Sequence, residues 1–152
     1  MKHKGSCHCG AIEIELETDR LPKDQVVGAC RRSFCRKHNA RTFSDPKART
    51  TLIARMSEHV QLYTFGLMTS QQIVCRQCGV YVAMLLSEAD TVWSVISIDT
   101  LDDRALFTQA AEPRELVVTA AVPPMDRKIP VLQRLTHRRI PSRPRPLLDD
   151  RN

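Results

Sequence analysis

Aromatic residues are scarce in this chain: four Phe, two Tyr and one Trp make up 5% of its 152 residues. No recognition-helix pattern is present either, so nucleic acid, whose bases are read through stacking rings or a helix in a groove, is not an expected partner. Also missing is any run of about twenty apolar residues, which excludes a membrane-spanning helix and leaves the bilayer an unexpected partner. The opening residues Met1 to Gly5 carry charge and run straight into Ser6 and Cys7, without the apolar segment of a secretory signal. A reducing, cytoplasmic location is the expectation. No internal repeat breaks the chain into like units.

What is present fits one domain with a core of its own. The formal net charge of +6 is unevenly distributed. From Asp126 onward eight basic side chains face three acidic ones, whereas the first 125 residues hold 15 basic and 14 acidic. The basic character therefore belongs to the C-terminal stretch and says little about what the main body binds.

Residues 11–17 alternate apolar and acidic side chains, the period-two pattern of a strand with one buried face. A turn around Pro22 comes next, and Val26 and Val27 lead into Cys30. Residues 31–41 read as a basic loop with one helical turn. Further strands are predicted over 51–54, 59–65, 71–74, 80–86 and 91–98, with 66–70 as a hairpin connection. Asp102 is placed near the start of a short helix with Leu106, Phe107 and Ala110 on one face. Seven of the nine prolines fall in the last third, which argues against long regular elements there. A short helix from Pro130 to His137 and an extended stretch beyond Arg139 are predicted. The expected organisation is a mainly β body over 1–110 and a Pro/Arg-rich extension over 111–152, packed at first and mobile towards its end.

Six cysteines fall into three close pairs. In a reducing compartment such thiols serve as metal ligands or nucleophiles more often than as disulfide partners. Cys7 and Cys9 sit at i and i+2, on one side of an extended chain. Cys75 and Cys78 have the two-residue spacing of a zinc knuckle, with Gly79 free to adopt the backbone angles of the turn. Two such loops can close a tetrahedron of four thiolates around one structural zinc. The alternatives are disulfides or, for Cys75 and Cys78, a redox pair, although no helix pattern comes after Cys78 to lower a thiol pKa. His8 would point away from the site.

The third pair, Cys30 and Cys35, is surrounded by Arg31, Arg32, Arg36, Lys37, His38 and Arg41. Such charge favours thiolate and would attract a carboxylate or phosphate. A solvated basic loop with two half-buried thiols is the plainer alternative.

Three ordered cysteine motifs together with Thr100, Leu101, Asp102 and Asp103 resemble the glutathione-dependent formaldehyde-activating enzymes, a family that includes the centromere protein V-like proteins. These motifs are Gly5 to Gly10, the loop ending in Ser33 to Lys37, and Cys75 to Gly79. The resemblance spans about residues 5–110. It implies a β-tent fold of small antiparallel sheets around zinc, with Cys7, Cys9, Cys75 and Cys78 as the structural ligands. It also implies a second zinc, held by three thiolates of the middle loop, that serves carbon–sulfur chemistry on a glutathione adduct. Here that loop presents Cys30, Arg32 and Cys35. Arginine stays protonated and cannot replace a thiolate, so a second zinc on Cys30 and Cys35 would need a substitute ligand, with His38 the nearest candidate.

Three functions are expected from this pattern. One is a carbon–sulfur lyase using Cys30 and Cys35, with Arg31, Arg32, Arg36 or Lys37 holding the carboxylates of a thiol adduct such as a glutathione conjugate. Another is a non-catalytic, zinc-stabilised module for an anionic partner. The third makes Cys35 a free nucleophile activated by Arg36 and Lys37.

Overall fold

The computed structural model describes residues 1–88 and 91–114. It is mainly β, with ten strands and a single α-helix of five residues among the described residues. The helix predicted from Pro130 and the extended stretch beyond Arg139 lie outside the described residues, as does most of the extension.

Strands β1 (Lys2–Ser6), β2 (Ile12–Glu17) and β5 (Arg49–Ala54) form an antiparallel sheet in the order β1-β2-β5. The alternation of β2 sends Ile12, Ile14 and Leu16 inward, each 1% exposed. Its glutamates face outward, where Glu15 and Glu17 pair with Lys2. Such exposed, solvent-screened pairs add little to stability. Burying each aliphatic side chain contributes about 1.5–3 kcal/mol, so the inward face dominates.

A second sheet takes β3 (Gly28–Cys30), β4 (Arg41–Phe43), β6 (Val60–Tyr63), β7 (Ser70–Cys75), β8 (Tyr81–Glu88), β9 (Thr91–Ser97) and β10 (Glu112–Arg114). Its order is β10-β3-β4-β9-β8-β7-β6. All pairings are antiparallel except that of β10 with β3. The sheet thus takes Glu112–Arg114 from just beyond the expected boundary at 110, and Pro113 is tolerated because β10 is an edge strand. No helix among the described residues is long and apolar enough to cross a membrane.

The two sheets share one apolar core, in which Ile12, Ile14, Leu16, Leu52 and Ala54 meet Ile73, Ala83, Leu85 and Ile96. Gly5 lies against the segment after β9, where a Cβ on it would fall 2.1 Å from the Thr100 carbonyl oxygen and 2.6 Å from the Leu101 Cα. The Asp102 N–H donates to the Lys4 carbonyl at 2.8 Å, and the buried His3 ring meets Asp103 Oδ2 at 2.6 Å through Nδ1. Together these contacts fasten the N-terminal strand to the far end of the body.

In place of the helix expected from Asp102 there is one three-residue 3-10 turn, Arg104–Leu106, with another, Ile98–Thr100, before it. Phe107 is buried as expected, but Leu106 is 54% exposed and Ala110 is also exposed. A single 3-10 turn is too short to present the repeating face that the 3.6-residue period of an α-helix would have created.

One irregularity positions the functional residues. Between β7 and β8, Ile73 pairs with Ala83 but the next residue, Val74, pairs with Tyr81, leaving Val82 as an extra, bulged residue. Strand alternation sends Ile73 and Cys75 to the main core. Val74 and Tyr81 belong instead to a separate cluster with Cys30, Cys35 and Ala40. Bulges re-aim side chains in this way. As a result, two cysteine sites flank the end of β7.

Candidate metal centre and the adjoining cysteine cluster

Cys7 and Cys9 lie on the loop between β1 and β2, and Cys75 and Cys78 at the turn between β7 and β8. Both loops close alike: the Cys7 N–H donates to the Ile12 carbonyl, and the Cys75 N–H to the Val80 carbonyl, each at 2.9 Å. Gly10 and Gly79 turn the chain with φ of 72° and 74°. An added Cβ would meet nothing within 4 Å at Gly79 and only the Arg55 side chain at Gly10, so backbone angle rather than space selects glycine at both.

The four ligand sulfurs lie within 4.8 Å of one another. Cys9 Sγ is 3.6 Å from both Cys7 Sγ and Cys75 Sγ. A tetrahedron with metal–sulfur bonds of about 2.3 Å has edges of about 3.8 Å, so the spacing fits a single ion. Four sulfurs in this arrangement suit zinc or iron. All six cysteines are free thiols rather than disulfides. Beyond Cys78 the chain enters strand β8, not the helix a thioredoxin-type pair requires. His8 is exposed.

Without a metal, the thiols differ in acidity. Burial pushes Cys7 up to about 12 and also raises Cys9. At Cys78 burial acts in the same direction, but the backbone N–H groups of Cys9 and Val80 outweigh it and bring the thiol down to about 7. The Ile12 N–H also points at Cys7 Sγ, at 3.3 Å. Backbone donors thus already surround the sulfurs that would carry negative charge on metal binding.

The second cluster lies where β3 runs into α1 (Ser33–Lys37), the one helical turn expected. Cys30 and Cys35 are 7% and 5% exposed, against Ala40 and Tyr81. Burial and the neighbouring Cys30 push the Cys35 thiol up to about 12, against a smaller lowering effect of Arg32. Burial likewise raises the Tyr81 hydroxyl. The basic side chains remain at the surface: Arg31, Arg32, Arg36 and Lys37 are exposed, and the ion pairs of the described residues include none of them. Arg41 differs, reaching Asp99 at 3.4 Å and donating to the Phe107 carbonyl. The exposed His38 ring stands 4.4 Å from that of Phe34 and 5.7 Å from that of Tyr81. Among the described residues, Cys30, Cys35 and His38 do not gather their ligand atoms as the four sulfurs of the metal centre do.

Sequence spacing did not indicate two features of this region. An aromatic group of Phe34, Tyr63, Phe65 and Tyr81, with neighbouring ring centroids 5.3–5.6 Å apart, adjoins the Cys30/Cys35 cluster through Phe34 and Tyr81. The His3–Asp103 pair joins residues a hundred positions apart. Neither leaves a local motif, because its members come from separate strands and turns.

A mainly β body whose two cysteine loops bring four sulfurs to spacings that fit one metal ion defines the class of protein. The family model for the glutathione-dependent formaldehyde-activating enzyme matches residues 2–119. The chain belongs to that family. A solved structure of a protein from Rhodobacter sphaeroides is also similar, at 32% sequence identity, covering 65% of this chain and 87% of that one, with a TM-score of 0.49.

Proposed function

We propose that this protein is a zinc-stabilised carbon–sulfur lyase that acts on a thiol adduct, such as a glutathione conjugate, at the Cys30/Cys35 cluster. The observation that carries this reading is the meeting of two buried thiols with four exposed cations. No acidic residue occurs between Gln25 and Ser44. Arg31, Arg32, Arg36 and Lys37 would hold the adduct's carboxylates, placing its sulfur-bearing carbon over Cys30 and Cys35. In the lyase direction the adduct's hydroxyl loses its proton, the carbonyl forms, the carbon–sulfur bond breaks and the departing sulfur takes up a proton. Zinc on Cys7, Cys9, Cys75 and Cys78 has no open position, so its contribution is to the fold.

A second reading, a non-catalytic module that binds the same anion, is favoured by Arg32, which stands where the family's middle loop supplies a third thiolate. Metal content and catalysis separate the two. The chain and its Arg32→Cys variant would be purified without chelators, zinc counted, and exchange of glutathione with an aliphatic and an aromatic aldehyde, formaldehyde and benzaldehyde, followed by magnetic-resonance exchange spectroscopy. The lyase reading expects exchange accelerated by the natural chain. If the natural chain holds one zinc and accelerates nothing while Arg32→Cys gains both a second zinc and activity, the lyase reading fails and the binding module stands.

A further inference from the structure

The chain contains seven aromatic residues, and four of them, Phe34, Tyr63, Phe65 and Tyr81, gather at the Cys30/Cys35 cluster. The shared core of the two sheets is built differently, with aliphatic side chains and only Phe43 and Phe107 as rings. Three of these four rings are incompletely covered, while Tyr81 is buried. Tyr63 remains 44% exposed although it packs on both Phe34 and Phe65, and Phe34 and Phe65 are themselves half-buried. Phe34 is central: it contacts Tyr63 and Phe65 at 5.5 Å and meets Tyr81 edge-on at 5.3 Å. The result is a partly open aromatic surface that adjoins the two thiols through Phe34 and Tyr81.

One further observation bears on the ligand's charge. The exposed cations Arg31, Arg32, Arg36 and Lys37 flank Phe34 along the chain, so negative charge is drawn to the same place. A small aldehyde carries no apolar surface that could use these rings.

We infer that the Cys30/Cys35 site selects an anionic ligand carrying a flat aromatic group, stacked against Phe34, Tyr63 and Phe65 while its carboxylates meet the basic residues around α1. This rests on the thiol-adduct reading for the rest of the ligand and adds the class of its second half. The adduct's carbonyl-derived portion is aromatic, not a one-carbon unit.

Binding of inert thioethers tests this without catalysis. Calorimetric titration of the full chain with S-benzylglutathione and S-methylglutathione is expected to show the benzyl compound binding roughly tenfold more tightly, from ring stacking and burial. Tyr63→Ala, at an exposed position, and Phe34→Leu, which keeps apolar bulk, should each remove that advantage and leave S-methylglutathione affinity unchanged. Equal affinities in the natural chain, or an advantage that survives both substitutions, overturn the inference and leave the thiol-adduct reading standing. 3-Phenylpropanoate provides the complementary arm. If neither conjugate binds but this aromatic acid does, and Tyr63→Ala abolishes its binding, the aromatic site stands and the glutathione part fails. Binding of none of the three overturns both.

Discussion

Replacing Gly5 by alanine places a methyl group 2.1 Å from the Thr100 carbonyl oxygen and 2.6 Å from the Leu101 Cα. Ordinary contact begins near 3.4 Å, and backbone atoms cannot rotate aside, so the two segments must separate by over an ångström. Overpacking of this kind costs about 1–3 kcal/mol. The separation also opens the Asp102–Lys4 backbone hydrogen bond of 2.8 Å, adding about 1 kcal/mol. The expected loss is therefore about 2–4 kcal/mol, which at roughly 4 °C per kcal/mol lowers the midpoint by about 8–16 °C. Thermal unfolding followed by circular dichroism, with zinc in excess, measures it. Gly66→Ala is the control: its φ is +62° but nothing lies within 4 Å of an added Cβ, so it should cost only about 1–2 kcal/mol. A Gly5→Ala protein that melts within about 2 °C of the natural chain, or above Gly66→Ala, would show that this contact is not tight.

Removing His3, whose ring also packs 5.6 Å from Phe107, should cost about 2–3 kcal/mol in His3→Ala, read as a lower urea midpoint; an unchanged midpoint would mean the pair with Asp103 contributes nothing. The Cys35 thiol gives a pH signature. Its value of about 12 lies above the ordinary thiol value of about 8.5, so its contribution to stability is complete below that value and is lost as pH rises towards 12. Urea midpoints under reducing conditions should fall between about pH 8 and 10.5, less steeply in Cys35→Ala; identical slopes would contradict the assignment. Acidification acts in the opposite sense on the metal centre: protons compete for the thiolates, so zinc affinity measured with a competing chelator should fall as pH drops below 7, and a pH-independent affinity would rule out thiolate ligation.

Most of the strands could be read from the sequence because their burial tracks side-chain chemistry. Residues 12–17 alternate cleanly, and β5, β7, β8 and β9 are rich in β-branched and apolar residues. Strand β1 gave no such signal: its inward residues are His3 and Gly5, neither of them an apolar marker, and its need for glycine depends on the distant segment at Thr100 and Leu101. Strand β4 has only three residues, and β10 contains a proline. The metal centre could be read because ligand spacing and an adjacent glycine are local properties of a thiolate turn. The aromatic surface could not, since Phe34, Tyr63, Phe65 and Tyr81 come together only through sheet order and the bulge at Val82.

X-ray absorption at the zinc edge, on protein purified without chelators, decides whether Cys7, Cys9, Cys75 and Cys78 hold a structural zinc. The expected result is one tightly bound zinc with four sulfur neighbours at about 2.3 Å, and loss of both the metal and the cooperative unfolding transition in Cys7→Ser. A first shell containing nitrogen or oxygen in place of a sulfur, or a Cys7→Ser variant with unchanged zinc and folding, would contradict it.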